Sequence, residues 1–382
     1  MFWNIIISIS FVLFFFYAII ILLYRKWFLQ LQYFKVNTNH QPQHKFSIII
    51  PARNEEENIG QCLSSIIRQN YPSDFFEIIV VDDHSTDKTV NIVEEFKKEN
   101  EHIKLIKLKD VLNGRQLNAY KKKSIETAIE NASYDWIVTT DADCVVTPNW
   151  LKNFDAYIQD SRTVFVAAPV AFTYTATILS VFQYLDFLSL QGITAAAVSA
   201  GFHSMCNGAN LAYNKKVFYE VNGFKDIDNI ASGDDMLLMN KIKEKYPQQI
   251  GFIFSKEVIV KTAPMPDWKS FLNQRIRWAS KANKYNDKSI FWVLWLVYLF
   301  NLILFVSPFL SIFHPVLCLY WLGLIILKTV VELSFTIPVG KFFGKAFTWA
   351  FLFLQPIHIG YTVIAGWLGM FGSYRWKDRK VK

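Results

Sequence analysis

The chain has 382 residues, of which 52% are hydrophobic, 19% charged and 16% aromatic, and its mean hydropathy is +0.19. Soluble domains run at roughly 45–50% apolar and about 25% charged, so this composition excludes a disordered chain, a nucleic-acid-binding tail and a small disulfide scaffold. Forty Lys and Arg against 32 Asp and Glu leave a net charge of +8. Basic residues gathered on the cytoplasmic flank of membrane helices account for it first, a site for a polyanionic substrate second. Cys62, Cys144, Cys206 and Cys318 are scattered, with no CxxC and no zinc spacing. They suit a reducing compartment, each as a small core residue.

Residues 4–24 (NIIISISFVLFFFYAIIILLY) carry no charge and are long enough for one crossing of a roughly 30 Å hydrocarbon core. A cleaved signal peptide is the weaker reading, because no basic segment precedes the run and no small-residue cleavage site follows it. Arg25 and Lys26 come next instead, which puts that end in the cytoplasm and makes residues 1–26 an anchor with its N-terminus outside.

Residues 45–165 have the pattern of a water-facing α/β domain, the start of an insert expected to run from 45 to 288. Short apolar runs at Phe46–Ile50, Glu77–Val81, Ile103–Leu108 and Trp136–Thr140 read as buried strands. Helical spacing over Asn58–Gln69, Thr89–Lys98 and Lys123–Asn131 separates them. Strands alternating with helices predict a mostly parallel sheet with right-handed crossovers, whose ligand sits beyond the C-terminal strand ends. Polar residues do collect there: Arg53-Asn54-Glu55, Asp82-Asp83, and Asp141-Ala142-Asp143.

Residues 167–200 are apolar but interrupted by Gln183, Asp186 and Gln191, and read as a helix lying in the bilayer interface or lining the site. The basic, aromatic stretch 267–288 is a second interfacial segment. Residues 290–372 are almost wholly apolar. Ile290–Phe313 and Pro315–Ile337 form an expected hairpin turning at His314-Pro315, and Phe347–Phe371 is a third candidate span, interrupted by Gln355, Pro356 and His358. With the soluble domain in the cytoplasm, three crossings would put the basic tail 373–382 outside, against the positive-inside tendency; a re-entrant or doubled last segment would relieve that conflict. Lys328 and Glu332, four apart on one helix, read as a neutralised pair.

Four local constellations carry chemistry. In Asp141-Ala142-Asp143 two carboxylates fall on one side of an extended backbone. They would repel unless a hard cation such as Mg²⁺ or Mn²⁺ sat between them, completed by waters and phosphates, although such a pair taken alone is also common in solvated loops. Asp82 and Asp83 end a strand, where a carboxylate can accept hydrogen bonds from a base or ribose or cap the next helix. Gly233-Asp234-Asp235 precedes an apolar helical run, so it is a cap or a general base for a sugar hydroxyl. Gln274-Arg275-Ile276-Arg277-Trp278 offers planar cations beside an indole, either snorkelling at the interface or binding diphosphate and sugar.

In this order PARNEEENIGQCLSSIIRQNYP, EIIVVDDHSTDKT, DADC, SGDDMLL and QRIRW resemble family 2 glycosyltransferases of the GT-A fold over about residues 45–280. The similarity is greatest to membrane-integrated members such as the hyaluronan, chitin, cellulose and poly-N-acetylglucosamine synthases and the ceramide glucosyltransferases. The resemblance implies that Ala52, Arg53, Glu55, Asp83 and Lys122 hold the donor nucleotide, with the register at Lys122 open by one. It implies that Asp141 and Asp143 bind a divalent metal, Mg²⁺ or Mn²⁺, with Asp141 also at the nucleotide, and that Asp235 is the catalytic base. Gln274, Arg277 and Trp278 match Gln-x-x-Arg-Trp, for the diphosphate and the acceptor.

The resemblance thus implies an inverting transfer from a nucleotide-sugar donor, a UDP-sugar by family or else GDP-mannose, to a lipid or glycan acceptor at the membrane. The protein would be multi-pass in a bacterial-type plasma membrane with its catalytic domain cytoplasmic, and no nucleic acid partner is expected. A processive synthase and a single transfer to lipid stay open, as do a homo-oligomer and an export partner. The reading from another class is a catalytically silent scaffold or polysaccharide-export subunit. A silent descendant would be expected to lose site acids, and all the motif acids are present.

Overall fold

The computed structural model describes residues 2–281, 287–344, 347–372, 374–376 and 379–381. It divides into two compact units, one of residues 32–173 and 204–263, the other of residues 1–31, 174–203 and 264–382.

The first unit contains ten strands: β1 Phe46–Ala52, β2 Phe76–Asp82, β3 Ile103–Lys107, β4 Trp136–Thr139, β5 Cys144–Val145, β6 Phe165–Ala167, β7 Val170–Phe172, β8 Leu211–Asn214, β9 Ile250–Phe252 and β10 Val260–Thr262. Seven of them form one sheet in the order β3-β2-β1-β4-β8-β6-β9, and β5-β10-β7 form a second. The first four strands of the large sheet are mutually parallel, whereas β8 runs antiparallel to both β4 and β6. Strands β1 and β2 are apolar on both faces because the sheet is covered on both sides; Phe46, Ile48, Ile49, Ile50, Ile79, Val80 and Val81 are all fully buried. Each such side chain contributes roughly 1.5–3 kcal/mol relative to exposure. Helix Ile59–Ile67 buries Ile59, Cys62, Leu63 and Ile66, the one-sided stripe expected of a covering helix.

The parallel register decides where the polar strand ends go. Ala52 pairs with Asp82 and Ile49 with Thr139, so β1, β2 and β4 finish side by side. Arg53, Asp83 and Asp141 therefore leave the same edge of the sheet.

The second unit is mainly helical. Among the described residues five of its helices are long and apolar enough to cross a membrane: Trp3–Leu29, Ile178–Ser199, Lys288–Leu310, Val316–Phe343 and Thr348–Phe371. The expected hairpin is present, with His314-Pro315 in the turn and the second helix running past Ile337. Pro356 does not split the last segment, because Phe351–Phe371 is one continuous helix that contains it.

The stretch 167–200 divides differently from its expected single helix. Val170–Phe172 is a strand of the first unit, and the helix starts at Ile178 after Thr177, whose hydroxyl accepts from the Ser180 amide at 3.2 Å. Its polar interruptions face protein. Gln183 exchanges two 2.9 Å hydrogen bonds with the backbone of Met265, and Asp186 pairs with Arg275 at 2.7 Å. Gly192 lies so close to Val339 that a Cβ there would come within 2.5 Å of its side chain, a small residue permitting close helix approach. Lys328 and Glu332 pair as expected, 2.7 Å apart, and Gln355 closes the network by accepting from Lys328 and donating to Glu332. Tyr17 donates its hydroxyl to the same Glu332 carboxylate. Residues 282–286 of the stretch 267–288, and residues 373, 377, 378 and 382 of the basic tail, lie outside the described residues. Tyr374–Trp376 and Arg379–Val381 in that tail pair antiparallel.

Candidate active site

At the ends of β1 and β2 the chain builds two interlocked loops. Asn54 and His84 both take left-handed backbone angles, φ 51 and 56, which Asn tolerates through its short polar side chain. The loops are tied together. The Asn54 amide donates to the Ser85 hydroxyl at 3.0 Å, the Thr86 amide to the Asn54 carbonyl oxygen Oδ1 at 2.8 Å, and the Glu55 amide to the Thr89 hydroxyl at 2.8 Å. Arg53 Nη1 donates to the Asp83 backbone oxygen at 2.9 Å and lies 3.9 Å from its carboxylate, and His84 Nδ1 is 2.9 Å from that carboxylate. The Ala52 carbonyl accepts from the Asp83 amide at 2.8 Å. Four of the expected nucleotide residues, Ala52, Arg53, Glu55 and Asp83, thus belong to one hydrogen-bonded loop pair.

The β4 end carries Asp141 and Asp143 over two buried thiols. Cys62 Sγ lies 3.6 Å from the Asp141 carbonyl and Cys144 Sγ 3.5 Å from Asp143 Oδ1. Burial first, then the fields of Asp143, Asp141 and Glu55, push the Cys62 thiol far above its ordinary value. It stays protonated, a core residue and not a nucleophile.

Lys121, in the first turn of helix Tyr120–Glu130, places its ammonium 2.6 Å from Asp141 Oδ1 and 3.3 Å from Asp234 Oδ2. Burial works against that charge, but Asp141, Asp234 and Asp235 outweigh it and hold the lysine protonated well above its usual range. Asp235 caps helix Met236–Lys245, accepting from the Met236 amide at 2.7 Å, and its other oxygen accepts from the Gly208 amide at 3.1 Å. Any side chain at Gly208 would press on this cluster, since a Cβ there would stand 3.1 Å from Asp234 Oδ2 and 3.6 Å from the Lys121 ammonium. Capping and a place in the acidic cluster are therefore compatible at Asp235; each carboxylate oxygen keeps a second lone pair.

The structure separates two adjacent lysines. Lys122 is buried, and its ammonium donates to the carbonyls of Ile227, Ile230 and Ser232 at 2.7, 2.7 and 3.0 Å. It ties down the loop before Asp234 and Asp235, while Lys121 is the lysine at Asp141. Lys121 and Gly208 carry no role in the sequence pattern, and Asp234 enters there only within Gly233-Asp234-Asp235. The only signal for Lys121 was the open register at the Lys121–Lys123 run.

Gln274, Arg277 and Trp278 stand in the helical unit, on helix Trp268–Ala279. Spacings of three and four put all three on one helix face. Arg275, between them, is buried instead.

Among the described residues no three His, Cys, Asp or Glu side chains converge as a ready-made cation cage. The Asp141–Asp143 pair nonetheless fits a hard divalent ion. It offers carboxylate oxygens, Asp141 already holds one cation in the Lys121 ammonium, and Mg²⁺ typically takes one or two carboxylates plus phosphate oxygens and waters.

This sheet and its edge are the GT-A fold of glycosyltransferases. The solved structure of the mannosyltransferase PcManGT from Pyrobaculum calidifontis, in complex with GDP-Man and Mn²⁺, superposes with a TM-score of 0.58 over 96% of this chain and 99% of that one, at 17% identity. The profile described as Glycosyl transferase family 2 matches residues 47–221, and that described as Glycosyl transferase family group 2 matches residues 136–364. The latter spans more than half of the chain, which belongs to that family. Among curated relatives, the glycosyltransferase AglE of Haloferax volcanii is 27% identical over 50% of this chain and 58% of its own length. The poly-β-1,6-N-acetyl-D-glucosamine synthase of Staphylococcus epidermidis is 27% identical over 64% of this chain and 56% of its own. The chain thus spans little more than half the length of these relatives.

Proposed function

We propose that the protein transfers a glycosyl group from a nucleoside diphosphate sugar, a UDP-sugar by family, to a lipid or glycan acceptor at a membrane, with inversion at the anomeric carbon. The observation that carries this is the convergence of Asp141, Asp234 and Asp235 about Lys121 at the C-terminal strand edge of a chain in this family. Ala52, Arg53, Glu55 and Asp83 hold the nucleotide, and we give the donor-side ammonium to Lys121, since that of Lys122 is committed to three carbonyls. Asp235 takes the proton from the acceptor hydroxyl as its oxygen bonds to the anomeric carbon and the diphosphate departs. Asp141 and Asp143 would hold the divalent ion, which supplies charge stabilisation to the departing diphosphate. Gln274, Arg277 and Trp278 are assigned to diphosphate and acceptor on the motif alone.

The test is nucleoside diphosphate release by the purified chain in nanodiscs, with Mn²⁺ or Mg²⁺ and native membrane lipid, across a panel of sugar nucleotides. One donor should support release, and Asp235→Asn should lower it by about a hundredfold or more while still binding nucleotide. Residual turnover near a tenth of wild type would remove Asp235 as the base.

A further inference from the structure

The helical unit holds a buried polar cluster that the Gln-x-x-Arg-Trp motif does not account for. At its centre is Arg275, one of the two residues the motif leaves unspecified. Its Nε and Nη2 donate to Asp186 Oδ2 at 3.0 and 2.7 Å, and its Nη1 donates to Gln274 Oε1 at 2.7 Å. The guanidinium carbon lies 4.2 Å from the centroid of the Trp278 indole and 4.7 Å from that of Phe271. Asp186 is itself held by the Tyr361 hydroxyl and faces His358 Nε2 at 4.0 Å. Three helices, Ile178–Ser199, Trp268–Ala279 and Phe351–Phe371, thus meet at one Arg275–Asp186 pair.

We propose that Arg275 is a positioning residue that presets Gln274 and Trp278 for the acceptor. The inference rests on the transferase reading above. A guanidinium carries donors only, so the end of the Gln274 amide that meets it must be the oxygen. The amide nitrogen then points away as the donor available to an acceptor hydroxyl. The same cation covers one face of Trp278, a cation–π contact that holds the ring, and the Phe187 ring lies beside the indole with centroids 6.1 Å apart. Arg275 acts through these two side chains, and it is anchored by a carboxylate 89 residues away in sequence.

A lysine at this position keeps the charge opposite Asp186 but has neither the plane that lies on the indole nor the fork that reaches Gln274. Arg275→Lys should therefore keep its thermal midpoint and its UDP affinity close to wild type while transfer to native membrane lipid falls at least tenfold. In a Gln274→Ala/Trp278→Ala background the same substitution should add less than a further twofold, because its effect runs through those two side chains. Full turnover in Arg275→Lys, or losses that multiply in that background, would overturn the proposal.

A second readout needs no turnover. In 5-fluorotryptophan-labelled protein, the ¹⁹F resonance missing from Trp278→Phe reports Trp278. It should shift or broaden in Arg275→Lys and in Asp186→Asn, and an unmoved line in both would refute the positioning role. Should wild type release no nucleoside diphosphate from any donor, the transferase reading fails by that assay and the ¹⁹F result alone decides this one.

Discussion

Lys121 and Lys122 are chemically identical neighbours with opposite duties. One ammonium neutralises Asp141 and Asp234; the other is spent on three loop carbonyls. Lys121→Met should therefore cut nucleoside diphosphate release by about a hundredfold, the cost of removing one preorganised charge from a site of this kind. Lys122→Met should instead destabilise the domain by about 3 kcal/mol, since three buried carbonyls lose their donor, as read by thermal unfolding. The apolar stripe Ile125, Ala128 and Ile129 could not tell them apart. Position 121 lies four residues before Ile125 and position 122 three before it, so helical spacing puts both on the stripe's face.

At the scale of elements, side chains distant in sequence decide how segments are held. Asp155, on helix Trp150–Asp160, accepts from His40 Nε2 at 2.8 Å, His44 Nδ1 at 2.7 Å and the backbone amides of Gln43 and His44. Burial alone would raise this carboxyl, but the His44 hydrogen bonds, then those of Gln159 and Gln43, hold it below its ordinary value. A depressed folded value means that the unfolded chain takes up the proton first. The stabilisation is complete above the unfolded value near pH 4 and is lost as the pH falls through the lower folded value. Asp155→Asn should abolish that part of the acid dependence in unfolding midpoints measured between about pH 5 and 2. Among the spanning helices the Lys328–Glu332 pair makes a second test. Lys328→Met alone leaves a buried carboxylate uncompensated and should cost about 3 kcal/mol, whereas adding Glu332→Leu should recover much of it; an additive loss would contradict the pairing.

For the whole molecule, five helices of spanning length occur among the described residues of a chain of Glycosyl transferase family group 2. The full chain should stay in the membrane fraction through a high-salt wash, because burial of its apolar helices is not screened by ions. Excess EDTA should stop nucleoside diphosphate release, and added Mn²⁺ or Mg²⁺ should restore it. Activity that persisted in EDTA would remove the cation from the Asp141–Asp143 reading.

The strands β1 to β4, the acids at their ends, the long apolar helices on either side of the α/β segment and the Lys328–Glu332 pair were legible in the sequence, because each depends on residues within a few positions of one another. Periodicity of two or 3.6 reports which face of a segment meets apolar surroundings, and a strand end is where that pattern stops. Short β8 and its antiparallel place beside β4 carried no such signal. Nor did the division of labour between Lys121 and Lys122, or the burial of Gln183 and Asp186 inside a helix whose polar interruptions suggested a bilayer interface or a site lining. Those outcomes turn on partners far away along the chain, Asp234 for Lys121, Met265 for Gln183 and Arg275 for Asp186. A buried polar group must find its complement wherever packing brings one, and only the tertiary structure decides which residue that is.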